Sequence, residues 1–481
     1  MKKYIFAALA ALLVLSGCNS KEFLEKAPKM AQSNVLTLST YDGLDMSVAG
    51  AYGPLASTNW YGAHFILDNE MATANGKRWG IIFEEYESGR YKDEYSILYT
   101  PNSTSPLWGT AYYVVLAVNS VIDAIDAEGA SFEATAQELN NLKAECLFLR
   151  AFAHFDLVRT YAMPYTWTAD ASHNGVPYVY KSDSEEKPAR ETVAKVYENL
   201  IKDLTDAESL IDPSYSRSGV KDKNAVVNLQ VIQALLARAY LYSQQWQKAA
   251  DYASKVIDSG KYKLWTADEL KDGEAYRTEP TGGSEVIFEV YGHISQSYGT
   301  GNENCWGMTC CNGGYADCGV CTDLYNLFED SDARKGLYTP DKNGNGLFTL
   351  KYAGKGLNSI DANNTPVLRL SEMYLTRAEA GIRGASGVNA VSDLTAVAEA
   401  RGATPQQATQ NGVFTERWKE LAWEGHLWFD LARTGRDMTR TDIAGNVPTS
   451  IPAGDYRWAK PLPEREFTVN ENLVQNDGYN K

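Results

Sequence analysis

Hydrolysis of a glycosidic bond needs two carboxyl groups flanking the scissile oxygen, so acid pairs are the first chemistry to look for. Glu424 and Asp430 stand six residues apart. On one helix that separation turns them about 240° from each other, so they face different ways. Glu420 and Glu424 do share a helix face, but Arg417 lies three residues before Glu420 and can pair with it. Structural ion pairing is the expected use of these acids. The histidines are His64, His154, His173, His293 and His426. No two have metal-motif spacing, and there is no His-Glu-x-x-His, no Gly-x-Ser-x-Gly elbow and no Gly-Lys-Ser/Thr phosphate loop. No catalytic constellation emerges, and the chain reads as a non-enzyme.

Two segments could hold ions or staples. Asp341-Lys342-Asn343-Gly344-Asn345-Gly346 opens like a calcium loop, with Asp341, Asn343 and Asn345 at the first three ligand positions. Tyr352 falls where the bidentate carboxylate belongs, so a hairpin tip between Leu337-Tyr338 and Leu347-Phe348 is preferred. Cys305, Cys310, Cys311, Cys318 and Cys321 cluster in a Gly- and Tyr-rich stretch. The Cys-x-x-Cys invites zinc, but adjacent Cys310 and Cys311 suit a tetrahedral site poorly. Disulfide stapling is the preferred reading, with free thiols as an alternative. Cys146 reads as buried in a helix.

Binding is the remaining chemistry. Sugars need flat aromatic rings beside planar polar groups. One loop offers Trp60, Tyr61, Asp68, Asn69, Asn75, Arg78 and Trp79. A second, Tyr291 to Tyr325, offers Tyr298, Asn302, Asn304, Trp306, Asn312 and Tyr315. Each ring alone packs on a scaffold as readily as it binds, but the group favours binding. Trp108, Trp246, Trp418, Trp423 and Trp428 lie on amphipathic helices and are assigned to the core.

The elements that must position these loops are helical. A 3.6-residue apolar period marks Leu107 to Ile125, Leu139 to Tyr161, Thr192 to Ile211 and Phe414 to Arg433. Gln230 to Lys261 has tetratricopeptide-like spacing, with Leu236, Ala237, Tyr240, Ala249, Ala253 and Val256, and Ser371 to Gly402 is a fainter echo. Ser284 to Gly292 alternates as a strand. The 481 residues carry a net charge of -16, which disfavours nucleic acid as a partner. At the front, Lys2 and Lys3 precede an apolar run, Tyr4 to Leu15, too short to span a bilayer. It ends Leu15-Ser16-Gly17-Cys18, the pattern of a lipoprotein signal. This predicts a signal peptide over 1–17, lipidation at Cys18, and a polar leash over 18–32. Several acyl chains on one cysteine make a stable tether.

At this point the chain resembles the SusD/RagB family of outer-membrane nutrient-binding lipoproteins. The resemblance runs through Ala144-Glu145-Cys146-Leu147-Phe148-Leu149-Arg150, on to His154-Phe155-Asp156-Leu157-Val158-Arg159, then Pro188-Ala189-Arg190-Glu191-Thr192 and Ala237-Arg238-Ala239-Tyr240. It continues through Glu285-Val286-Ile287-Phe288-Glu289, Leu368-Arg369-Leu370-Ser371-Glu372, Glu420 to Leu431, and Gln475-Asn476-Asp477-Gly478-Tyr479. Leu427 departs from the Arg usual there, and the cysteine-rich loop is not a family feature. The resemblance implies a single mostly α domain over 33–481, with tetratricopeptide-like pairs near 107–161, 192–261 and 366–433 and loop insertions at 59–106 and 291–360. It implies a cell-surface protein, lipid-anchored in the outer membrane, that captures an oligosaccharide, or in some members an oligopeptide, and delivers it to a TonB-dependent outer-membrane barrel of the SusC type. It implies no cofactor. A surface glycan hydrolase and a protein-binding adaptor are the competing classes.

Overall fold

The computed structural model describes residues 37–81, 88–128, 131–183, 185–220, 222–277, 285–292, 303–310, 314–344, 346–352 and 364–479. The predicted signal peptide, Cys18 and the leash lie outside the described residues, as do His293, Tyr298, Asn302, Cys311, Asn312 and Asn345. About half of the chain is helical, and the strands are few and short, so the fold is mostly α as expected.

Helix starts are written locally. Thr135 opens the longest helix with a reciprocal cap, its hydroxyl accepting from the Glu138 amide while the Glu138 carboxylate accepts from the Thr135 amide. Thr192, Asn228, Asn389 and Thr409 cap their helices through side-chain oxygens in the same way. The main helices are α1 (Tyr41–Tyr52), α2 (His64–Met71), α3 (Lys92–Ser96), α4 (Leu107–Glu128), α5 (Ala136–Tyr161), α6 (Val193–Leu210), α7 (Leu229–Tyr242), α8 (Trp246–Asp258), α9 (Leu370–Ile382), α10 (Ala390–Ala400), α11 (Gln410–Leu421) and α12 (Leu427–Thr434).

The central post is α5. It packs between α4 and α6, which explains why its apolar surface runs nearly all round. Two of its buried charged residues show how it is tied to its neighbours. Arg150 forks onto Asp203 of α6 with two contacts of 2.7 Å, and Glu145 accepts from Tyr215 and Arg217. Apolar α4 is long enough to cross a bilayer by composition, but Leu107, Ala111, Val114, Val115 and Val118 are spent inside the core. Beyond α6, α7 pairs with α8, α8 with α9, and α9 with α10 and α11.

Three small antiparallel sheets fill the rest. The strands β1 (Gly76–Arg78), β3 (Cys318–Val320), β5 (Leu347–Thr349) and β4 (Tyr338–Pro340) form one sheet in that order. Lys77 faces Gly319, and Val320 faces Leu347. Strand β2 (Val286–Val290) pairs with β6 (Thr365–Arg369), through a register shift that sets Val286 opposite Arg369. The third pair is β7 (Met438–Thr439) with β8 (Ser450–Ile451). The alternation read over 284–292 is therefore a strand, and the Asp341–Gly346 turn is the tip of the β4–β5 hairpin.

One expectation fails. The apolar period from Phe414 to Arg433 is not a continuous helix but α11 and α12, separated by a break at Ala422–His426. Trp423 and Gly425 both take left-handed backbone, at φ 66° and 79°. The break is held from outside: Gly425 N–H donates to Glu70 at 2.6 Å, and Tyr352 O–H donates to the Trp423 carbonyl at 2.6 Å. A Cβ on Gly425 would sit 3.0 Å from Ile66 Cδ1 in a conformation that side chains resist. Gly425→Ala is expected to lower unfolding free energy by about 1–3 kcal/mol, read as a reduced urea midpoint at unchanged slope.

Candidate functional site

The acids that could have been catalytic are locked in ion pairs. Arg369 donates to Glu424 Oε2 at 2.9 Å, to Glu424 Oε1 at 2.8 Å and to Glu420 Oε1 at 2.8 Å, and it also reaches Glu285. Arg401 bridges Glu285 and Glu420. Arg334 joins Glu416, Glu420 and Asp332, and Lys351 Nζ lies 2.6 Å from Glu424. All these side chains are buried. Burial works to raise the Glu420 carboxyl, but Arg401 and Arg369 overcome it and hold the group well below the usual carboxylate range. The expected partner was wrong in detail. Arg417 pairs with Asp430 at 3.0 Å, because the helix break swings Asp430 back towards α11 and leaves Glu420 facing Arg369.

The first aromatic loop is turned inward. Trp60, Tyr61, Asp68, Asn69, Arg78 and Trp79 are all buried, so none of them offers the open face that the expected sugar contact needs. Trp60 and Tyr61 stack on Phe152 of α5 at 5.8 and 5.4 Å, and Trp60 Nε1 donates to Asp156 at 2.8 Å. Asn69 donates to the Phe65 carbonyl at 2.7 Å. Trp79 lies across the four-stranded sheet and donates to the Leu347 carbonyl at 3.3 Å. It can do so because residue 319 is glycine: a Cβ there would fall 1.7 Å from Trp79 Nε1. In the second segment Trp306 is buried too.

The cysteine staple is likewise corrected. Cys305, Cys318 and Cys321 are free thiols, as is Cys146, while Cys311 lies outside the described residues. Cys305 points at the Tyr61 carbonyl, whereas Cys321 is held by Asp323 and the Asp442 carbonyl, both 3.2 Å from its sulfur. Burial pushes the thiols of Cys305, Cys318 and Cys321 up, which keeps them protonated. At the hairpin tip, Asp341 accepts from the Asn343 amide at 3.1 Å, which orders the turn. The hydroxyl of buried Tyr352 is directed at Trp423 rather than at that tip.

Among the described residues expected to bind a sugar, Tyr315 stays exposed, with 40% of its surface open. Arg90 stacks on its ring with the guanidinium 4.2 Å from the centroid, and the same Arg90 reaches Glu303 at 2.8 Å and Asp317 at 3.7 Å. Ser88 donates to Asp317. The loop is anchored beneath by Tyr315 N–H to the Gly307 carbonyl and by Cys305 N–H to the Gly62 carbonyl. An aromatic ring, a guanidinium and carboxylates thus share one surface. Sequence reasoning named Tyr315 but missed Arg90, whose neighbourhood arises from residues more than two hundred positions apart.

A second cluster was also missed. His64 and Asp68, on one face of α2, meet Glu94 of α3 and Lys460. The other described histidines are structural. His154 accepts from the Val179 amide and is lowered to about 3 by burial, and His426 is lowered well below its usual value by burial and by Arg238 and Arg417.

Two family models match the chain. One, described as "Starch-binding associating with outer membrane", covers residues 22–241, and the SusD family model covers 346–479. SusD-like protein P2 of Formosa agariphila is 24% identical over the full length of both chains. A SusD superfamily protein from Bacteroides vulgatus superposes with a TM-score of 0.81 at 28% identity, covering 92% of this chain and 100% of that one. The chain belongs to the SusD/RagB family. Surface glycan-binding protein A from Bacteroides thetaiotaomicron, solved in complex with laminarihexaose, shares the fold at a TM-score of 0.71 and 21% identity, covering 91% and 99% of the two chains.

The SusD/RagB-like motifs turn out to be the ion-pair framework rather than the ligand surface. Arg150, Asp156, Arg238, Glu285, Arg369, Glu372, Glu379, Glu420, Glu424 and Asp430 are all buried and bonded to one another or to neighbouring chain. Near the C-terminus, Gln475 exchanges bonds with the backbone of Leu462, and Asn476 Nδ2 donates to the Tyr161 and Lys460 carbonyls at 2.8 Å.

Removing one member strands the others. Arg369→Ala is expected to cost about 3–5 kcal/mol of unfolding free energy, measured by denaturant titration. A second expectation concerns pH. Burial lifts the Glu70 carboxyl to about 7 even though Asn75 and Gly425 donate to it. A carboxyl held that high keeps its proton in the fold at a pH where the unfolded chain has lost it. Stability from this source is full below the unfolded carboxylate range and declines as pH rises through 7. Unfolding midpoints measured from pH 5 to 8 are expected to fall, by an upper bound of about 3 kcal/mol for Glu70. Glu70→Gln flattens that slope.

Proposed function

We propose that the chain is a non-catalytic, surface-tethered oligosaccharide-binding protein that holds its cargo at the Tyr315–Arg90 patch. One observation carries this reading: Tyr315 presents an exposed ring backed by Arg90 and rimmed by Glu303. A sugar ring lays its C–H face on the open side of such an aromatic, and guanidinium and carboxylate groups take the hydroxyls. Family membership supports the same class of ligand, and the laminarihexaose bound by the B. thetaiotaomicron protein supports a β-glucan or starch fragment as a first probe.

A hydrolase reading is disfavoured by the use of Glu420 and Glu424 as ion-pair members, which leaves neither free to donate a proton. Within the proposal, Cys18 carries the lipid, the outer leaflet is the place of work, and a TonB-dependent barrel of the SusC type receives the cargo. An oligopeptide is the alternative cargo for the same capture role, because Arg90 and Glu303 would also satisfy peptide termini. A calcium ion at the hairpin tip is not needed for any step.

Calorimetry of the soluble form, starting after Cys18, against laminarihexaose, malto-oligosaccharides and oligopeptides tests this reading. Binding to a glycan is expected, with Tyr315→Ala and Arg90→Ala each weakening it about tenfold and leaving the unfolding midpoint unchanged. Trp60→Ala is expected to do the reverse, costing about 3–5 kcal/mol of stability while the folded fraction keeps its affinity. Peptide binding without glycan binding, or turnover of any glycan, overturns the proposal.

A further inference from the structure

We propose that His64, Asp68 and Glu94 form a binding site for a divalent transition-metal ion of the zinc class. One imidazole nitrogen and two carboxylate oxygens, one from each residue, lie within 4.8 Å of one another. His64 and Asp68 are four residues apart on α2, so they share a face. Glu94 comes from the first turn of α3, which packs on α2. Its position is fixed by left-handed residues at both ends of that helix, Tyr91 and Ile97, each at φ 53°.

The donor spacing is close to that of an ion site. His64 Nδ1 and Asp68 Oδ1 are 2.9 Å apart. That is a hydrogen-bond distance; two donors at roughly 2.0–2.1 Å in tetrahedral arrangement stand about 3.3 Å apart, so an opening of about 0.4 Å admits the ion. Glu94 faces Asp68 and has no side-chain hydrogen-bond donor among the described residues. A dication held among these three groups would be neutralised by the two carboxylates.

The surrounding groups set the limits. Lys460 Nζ lies 2.9 Å from Asp68 Oδ2 and 4.9 Å from the Tyr99 ring centroid, so Oδ2 is taken by the ammonium, and an ion would take the place of the proton shared between Oδ1 and His64 Nδ1. The ammonium opposes a second cation, which makes the affinity moderate. The Tyr91 ring stands 5.4 Å from His64, and the His64 side chain keeps 35% of its surface, which leaves an outward coordination position for water. An imidazole in the donor set favours zinc-class ions over calcium or magnesium, whose preferred ligands are all oxygen.

The full chain, purified in detergent and stripped with chelator, is titrated with zinc chloride and separately with calcium chloride by calorimetry. One zinc equivalent is expected, with proton release seen as a dependence of the heat on buffer ionisation enthalpy, and weaker binding of calcium. His64→Ala and Glu94→Gln should each weaken zinc at least about tenfold. Glu94→Gln keeps the size of the side chain and removes its charge, and so tests the site even where His64→Ala disturbs folding. Lys460→Met should tighten zinc, an effect that a purely structural cluster would not produce. Cobalt(II) should give a spectrum without a thiolate charge-transfer band, which separates this site from the free cysteines. Zinc affinity that survives both ligand substitutions, zinc lost on cysteine alkylation, or no zinc binding at all overturns the assignment. None of these results depends on whether a glycan binds at Tyr315.

Discussion

Arg369 ends one strand and touches three glutamates, and the rest of the molecule is arranged so that this can happen away from water. A guanidinium and carboxylates taken out of solvent cost several kcal/mol each unless every donor and acceptor is met. Here most are met, by distant parts of the chain: Glu285 ahead of β2, Arg401 after α10, Glu416 and Glu420 on α11, Glu424 in the break, Arg334 before β4, and Lys351 after β5. The lattice therefore joins the helical pairs to the small sheets. It also explains why α11 and α12 cannot be one helix. Glu424 must turn inward to reach Arg369 and Lys351, while Asp430 serves Arg417 and Arg433.

That constraint decides where function can reside. Acids spent on holding the frame are unavailable as proton donors, and their depressed ionisation suits permanent charge rather than proton transfer. The same holds for the aromatic residues of 59–79, whose stacking on Phe152 and whose indole bonds to Asp156 and Leu347 make them part of the post around α5. The proposed cargo site lies at the surface instead, where Arg90 stacks on the exposed Tyr315 ring.

Much of the frame was legible in the sequence because it is local. Apolar period and caps gave α4, α5, α6 and the α7–α8 pair to within a few residues, and alternation gave β2. The family motifs were also legible, but their meaning was not: Arg150, Glu285 and Arg369 look like functional charges until their partners are seen. Aromatic density in 59–79 misled for the same reason, since a ring in a loop and a ring in a core read alike. Cysteine spacing suggested staples, whereas Cys305, Cys318 and Cys321 are buried as unbonded thiols. Arg90 beside Tyr315 and Glu94 beside His64 depend on tertiary approach, although the His64–Asp68 spacing on a helix was a signal that could have been found.

The account rests on cargo meeting the surface at 88–91 and 303–317 while the ion-pair lattice stands aside. Hydrogen exchange of the chain with and without saturating laminarihexaose or malto-oligosaccharide tests this most directly. The predicted result is added protection confined to those two segments, with 416–430 and 365–372 unchanged and the glycan recovered intact. Protection centred on 416–430, or shortened glycan at the end of the incubation, would contradict it.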